Sequence, residues 1–377
     1  MLPDPSSPQI ASDDPAPTRR LVLVAGAGRS GTSTVAGILQ RLGLVVPAPE
    51  VVSDETNPKG FSESQWVVDF HDDLLMHANV QVSDARPDAW TRTSAFAERP
   101  GATRLLTGWL EEQFSQADQV LIKDPRLSWF LPLWTTIARR VGAEPSFITM
   151  LRPPAEIVGS KRTYYNSFLQ DAHGVAAWLN MLLNTERATR GSARSFVRYH
   201  DLLGDWEPTI TRIGADLTLP RLEHLTPADR EVVDGFVDPA LRRVSLTWDD
   251  LDLPDRLATM ARGAWEALDA LPDVGEDAGA VTARLDEIHE QYAAYYLESE
   301  GVSRSSVIAV RQAAERARKQ EPAPVPAPTG IRGFAVSAAR RVPPSVRRLV
   351  PAPARARVRA RLTPGGAPSG TGPGPRP

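Results

Sequence analysis

The chain of 377 residues contains no cysteine. That removes disulfides, thiolate zinc sites and cysteine nucleophiles together. No stretch approaches the roughly 18 consecutive apolar residues that span a bilayer. The first twenty residues, rich in Pro and Asp, lack the basic segment and apolar run of a secretory signal. A cytoplasmic protein is the expectation. Acidic residues are missing after Glu321, where ten arginines run from Arg332 to Arg376. The net charge of −3 therefore divides into −13 over residues 1–321 and +10 beyond. Hydrophobic content of 42% and charged content of 24% are ordinary for a globular enzyme and select no partner.

Three regions follow from composition: a disordered N-terminus (1–18), one α/β domain (19–320) and a Pro/Ala/Arg-rich basic tail (321–377). The tail suits a solvated arm without a fixed partner. It also suits an anionic membrane surface, because Phe334, Val336, Val346, Leu349 and Val350 interleave with its arginines. That would make the protein peripheral at the inner membrane face. Nucleic acid is the third reading and is not expected.

Short apolar runs at 21–25, 119–123 (QVLIK), 146–151 (SFITML) and 195–199 (SFVRY) predict strands. Between them, Val35, Ile38, Leu39 and Leu42 recur at helical spacing before Gly43. Residues 101–117 and 128–140 fit helices, and Val175, Trp178, Leu179 and Leu182 mark another. Strands alternating with helices predict a central parallel sheet flanked by helices, a three-layer α/β fold of P-loop type. After about residue 205 the pattern is helical, strongly so over 279–319, where Tyr292, Tyr295 and Tyr296 read as packing residues.

The first strand runs into Gly26-Ala-Gly28-Arg29-Ser30-Gly31-Thr32-Ser33 and then a helix. Glycines at 26, 28 and 31 let the backbone take positive φ and approach a ligand. Backbone N–H groups from Arg29 to Ser33 would converge on an anion at the positive helix end. A dinucleotide fold shares the GxGxxG pattern, with Glu50 or Asp54 about twenty residues on. A nucleotide kinase would carry Lys where this chain has Thr32. The cation comes earlier, at Arg29, and the hydroxyls of Ser30, Thr32 and Ser33 favour one compact anion.

A second motif stands at the end of SFITML. There Arg152 precedes Pro153-Pro154, which suit a helix's first turn, and Ser160 follows eight residues after Arg152. Together the two motifs resemble the PAPS-dependent sulfotransferases, in which the first loop holds the 5′-phosphosulfate and a strand-end Arg with a helical Ser holds the 3′-phosphate. Lys123-Asp-Pro-Arg126 and Arg198-Tyr-His-Asp-Leu-Leu203 are similar to recurrent elements of bacterial members. The resemblance covers roughly residues 20–300. It implies PAPS (3′-phosphoadenosine 5′-phosphosulfate) as co-substrate, bound by Gly28, Arg29, Ser30, Gly31, Thr32, Ser33, Arg152 and Ser160. The common form has Lys in the first loop where this chain has Arg29, which keeps the charge and loses the compact ammonium.

Sulfuryl transfer needs a base for the acceptor's proton and donors for the charge that develops. Direct in-line attack needs no metal, so none is expected. Glu63, in Asn57-Pro-Lys-Gly-Phe-Ser-Glu63, is the candidate base, with Arg29 as its catalytic partner. Its segment resembles the acidic stretch after the first helix in bacterial and carbohydrate sulfotransferases. Spacing places Glu63 at the first turn of a helix, on a stripe with Val67, Phe70 and Leu74, behind a Ser62/Gln65 capping box. That position also serves the helix dipole alone. His71 and His173 are substitute bases; Lys123, Arg126 and His71 are candidate contacts to the sulfuryl group or acceptor. The acceptor, a hydroxyl or amine on a glycan, glycolipid or small molecule, is not legible. The other function classes are a catalytically silent nucleotide-binding protein tethered to a membrane and a P-loop phosphotransferase.

Overall fold

The computed structural model describes residues 19–54, 57–165, 171–238, 246–274 and 278–320. The proposed disordered N-terminus and basic tail lie outside the described residues.

Strand β1 (Arg19–Ala25) leads into α1 (Thr32–Arg41), followed by α2 (Gln65–Ala78), α3 (Ala89–Ala97), α4 (Pro100–Phe114) and β2 (Gln119–Lys123). A 3-10 turn (Pro125–Trp129), α5 (Leu131–Arg140), β3 (Ala143–Leu151), α6 (Pro154–Tyr165), α7 (Asp171–Thr189) and β4 (Arg194–Arg198) come next. The remaining elements are α8 (Tyr199–Gly204), α9 (Trp206–Leu217), α10 (Pro220–Glu223), α11 (Pro227–Asp234), α12 (Asp255–Val274) and α13 (Gly279–Gln320). The chain falls into two compact units, Met1–Gly301 and Val302–Pro377. In the second, the described residues are the last part of α13, with exposed side chains over Val302–Ala317.

The sheet has the order β2-β1-β3-β4, and every pairing is parallel. Parallel strands covered on both faces need apolar residues at successive positions, which is why β1 reads LVLVA without alternation. Leu21, Leu23 and Ala25 enter a core shared with α4, α5, α7 and α12. Val22 and Val24 enter a second core with α1, α8, α9 and α11. The expected mixed fold, a parallel sheet between helical layers, is therefore present. Residues 128–140 do not form one helix: the chain makes a 3-10 turn to Trp129, breaks at Phe130 and restarts as α5. Gly43 takes φ 103, as a helix stop requires.

From β1 the chain crosses to β2 on one side and later to β3 on the other. The carboxyl ends of β1 and β3 thus flank a point where the strand order reverses, the crevice where open α/β sheets bind ligands. Both sequence motifs end there.

Candidate functional site

The loop after β1 owes its shape to three residues with positive φ: Gly26 at 140, Arg29 at 77 and Gly31 at 96. Gly28 is not among them, and a Cβ added to it would meet only Pro125 at 4.0 Å. The expectation of a left-handed Gly28 is corrected: a non-glycine, Arg29, carries that conformation, a strain of about 1–2 kcal/mol. Gly31 has a steric reason as well, since a Cβ there would lie 2.2 Å from the Tyr199 ring. Gly31 also caps α1, and no side chain closes the first turn. The Ser30 hydroxyl is fully buried and has no hydrogen-bond partner. An uncapped helix end beside an orphaned buried hydroxyl is the environment that an anion would complete.

The two sequence motifs meet at this loop. Arg29 Nε donates to Ser160 Oγ at 3.1 Å, linking positions 131 residues apart. Arg152, buried at the end of β3, donates from Nη1 to the Arg29 carbonyl at 2.9 Å and from Nε to Glu156 at 2.9 Å. Its guanidinium lies 4.7 Å over the Tyr199 ring. Glu156 and Tyr199 were missed by sequence reasoning. The i,i+4 spacing of Arg152 and Glu156 was a usable signal, whereas Tyr199, although inside the Arg198–Leu203 run, gave no sign that its ring would lie under Arg152.

On the other side of the loop, Val24 and Lys123 pair in register across β1 and β2. Lys123 Nζ donates to Ser33 Oγ at 2.8 Å and to Glu63 Oε1. The cation absent from position 32 is thus delivered to the loop by the neighbouring strand. Glu63 is buried, and burial raises its pKa above the usual carboxylate range, with Lys123 opposing the rise.

Glu63 does not belong to a helix, which corrects the expected placement. Helix α2 begins at Gln65. Glu63 precedes it in an irregular segment, its carbonyl accepting from Val51 N–H at 2.8 Å. The Ser62/Gln65 capping box is also absent: Ser62, at φ 50, donates to Gln40, and Gln65 donates to Asp69. Glu63 is therefore held just ahead of α2, next to the bridge between Ser64 and Glu50, and not on a helical stripe.

His71 is fully buried, with Nδ1 2.8 Å from Asp124 Oδ2 and Nε2 accepting from the Trp134 indole at 2.9 Å. A nitrogen that accepts from an indole carries a lone pair, so the pairing assigns the proton to Nδ1. Both nitrogens are committed inside the protein, and His71 presents neither to a ligand. Burial raises the Asp124 pKa, but the His71 hydrogen bond and the Arg126 charge outweigh it and hold the carboxylate below its ordinary range. Arg126 joins Asp124 at 2.9 Å to Asp72 at 2.5 Å, so this strand end is salt-bridged. His173 lies on α7, apart from the Glu63–Lys123 pair in the contacts described, with its Nε2 buried and unpartnered.

Glu50 accepts from Gln40 at 2.7 Å, and Asp54 bridges Asn57; neither ends a strand beside β1. The acidic position of a dinucleotide fingerprint is thus not reproduced by these residues. Among the described residues there is no group of His, Asp and Glu suited to a metal ion, and no helix long and apolar enough to cross a membrane.

Comparison with solved structures finds a likeness to the sulfotransferase domain of the Synechococcus PCC 7002 olefin synthase. Identity is 18% and the TM-score 0.38, covering 67% of this chain and 98% of that domain. No family model matches the sequence, and no curated protein does. A likeness this distant carries no residue's role from one chain to the other.

Proposed function

We propose that the protein is a sulfotransferase that takes PAPS as donor and a hydroxyl or amine as acceptor. The observation that carries the reading is the convergence of two strand ends on one anion cradle. Arg29 and the α1 amino end come from β1, and Arg152 and Ser160 come from β3 and α6. One compact phosphate would need only the first. The second cationic group suits a ligand with another phosphate some distance along, as the 3′-phosphate of PAPS is.

In this reading the loop amides, the Ser30, Thr32 and Ser33 hydroxyls, and Arg29 hold the 5′-phosphosulfate. Arg152 and Ser160 hold the 3′-phosphate. Glu63 accepts the acceptor's proton as its oxygen or nitrogen bonds to sulfur, while the bond from sulfur to the 5′-phosphate oxygen breaks and leaves its electron pair there. Lys123 stands between base and cradle and offsets that charge. An anion in the cradle would compete with Glu63 for the same ammonium, leaving the carboxylate more basic when donor is bound.

Calorimetric titration with PAP (the desulfated product), ATP with magnesium and NAD tests the reading. PAP is expected to bind, and the other two are not. Arg29→Ala and Arg152→Ala should each weaken PAP by about 1.5–3 kcal/mol, the range for a charged hydrogen bond, or about 10–150-fold. Glu63→Gln should keep PAP affinity and lose turnover. Unaltered PAP affinity in both arginine variants would overturn the site.

A further inference from the structure

From Val302 to Ala317 every side chain of α13 is exposed, and this stretch lies in the second compact unit. Its surface is not uniform. At about 100° per residue, an arc of about 140° running from Val302 through Val310 to Val307 holds only Val, Ala and Ser. Val302, Val307 and Val310 are 89%, 51% and 69% exposed. All four charged residues of the stretch, Arg304, Arg311, Glu315 and Arg316, fall on the rest of the circumference, with Arg316 and Arg311 about 40° beyond the two edges of the arc. The end of α13 is thus amphipathic, with its apolar side in water. A helix draws most of its stability from packing such a side. Charge changes at the same place: residues 1–301 carry a net −16, whereas residues 302–377 hold fifteen Lys and Arg against two acids, Glu315 and Glu321. The change of sign coincides with the boundary between the two units.

An occupant of this surface has to satisfy both sides of the helix. Nucleic acid would take the arginines and leave the valines in water. A second copy would bring the same excess of positive charge to the contact, and Ala and Ser fill poorly the seam between two helices. An anionic bilayer offers acyl chains to the apolar arc and negative headgroups to the arginines at its edges, whose long stems reach back toward the headgroup layer. We propose that Val302–Ala317 lies in the plane of an anionic phospholipid surface, with Val302, Val307 and Val310 turned toward the acyl chains. Attachment of this kind is independent of which donor the protein takes, and its failure leaves the sulfotransferase reading untouched.

Because the chain has no cysteine, one introduced thiol can be labelled alone. Val310→Cys and Gln312→Cys, each in the full chain and each carrying an environment-sensitive fluorophore, report the two sides of the helix, about 200° apart. With vesicles of phosphatidylglycerol mixed into phosphatidylcholine, the label at 310 should brighten and shift to the blue while the label at 312 changes little. Vesicles of phosphatidylcholine alone should move neither. Co-sedimentation with the same vesicles gives the affinity. Arg304→Gln with Arg311→Gln should weaken it by about 10–30-fold, the attraction of two surface arginines. Val302→Asn, Val307→Asn and Val310→Asn together preserve charge and helix propensity, and should weaken it by about 5–50-fold through lost apolar burial. The side chains replaced are exposed, so circular dichroism should match the wild type. Labels that respond alike, or valine substitutions without effect, overturn the proposal, since charge alone would then account for binding. Binding that survives both sets of helix substitutions and disappears when the arginines beyond residue 321 are replaced overturns it too. So does self-association that shields position 310 in the absence of vesicles, which assigns the face to a second copy.

Discussion

Replacing Lys123 with Met leaves the Glu63 carboxylate in the interior without its cation, and the size of the loss can be bounded. Breaking a buried pair by removing one partner costs about 3–5 kcal/mol. The pair qualifies, since the Lys123 and Glu63 side chains are 2% and 8% exposed. Glu63 has an escape, which is to take a proton. Protonating a carboxyl of ordinary pKa 4.5 costs about 1.4 kcal/mol per pH unit above that value. The escape therefore limits the loss to about 5 kcal/mol at pH 8 and to less than about 1 kcal/mol at pH 5. A raised folded-state pKa for a carboxyl means that stability is fullest below the unfolded value and falls as pH rises through the folded one. Against a typical total of about 5–15 kcal/mol, the variant should unfold at much lower urea at pH 8 and close to wild type at pH 5. The lost Ser33 hydrogen bond adds about 1 kcal/mol at both. Adding Glu63→Gln to Lys123→Met should restore most of the difference at pH 8. Equal losses at the two pH values, with additive effects in the double variant, would refute the buried pair as described.

Further outcomes follow from the same geometry. Gly31→Ala puts a Cβ 2.2 Å from Tyr199 at φ 96 and should cost about 2–4 kcal/mol in urea unfolding, overpacking and left-handed strain combined; a loss below about 0.5 kcal/mol would contradict the packing. Trp134→Phe removes the donor to His71 Nε2 and should cost about 1–3 kcal/mol, an unpaired buried nitrogen, whereas unchanged stability would show that His71 does not depend on it. If Glu63 is the base, turnover should rise with pH through a midpoint above the ordinary carboxylate range, because burial raises its pKa. Lys123→Met should move that midpoint higher still, and a limb at or below pH 4.5 in both would exclude Glu63.

The glycine-rich turn and both helical layers were legible in the order of residues because they depend on local rules. Continuous apolar strands set a sheet buried on both faces. A glycine at the start of a helix and another after its end mark where the backbone must turn left-handed. Arg152 at a strand end, two prolines and a helical Ser160 are close in sequence, so their shared place was readable too. Where local signals misled, a longer-range contact had won. Glu63 looked like a first-turn helical residue, yet the bridge between Ser64 and Glu50 holds it ahead of α2. His71 looked like a spare base until Trp134, 63 positions away, and Asp124, 53 away, took its two nitrogens.

What the sequence by itself determined was the class of fold and the glycine-rich turn between the first strand and the first helix, since periodicity and turn chemistry act over a few residues. The tertiary structure decided which cation reaches that loop and what surrounds Glu63. Lys123 reaches Ser33 only because β2 pairs beside β1, and Arg29 reaches Ser160 only because β3 pairs on the other side. Strand order is set by the packing of whole helices against the sheet, and no short stretch of residues encodes it.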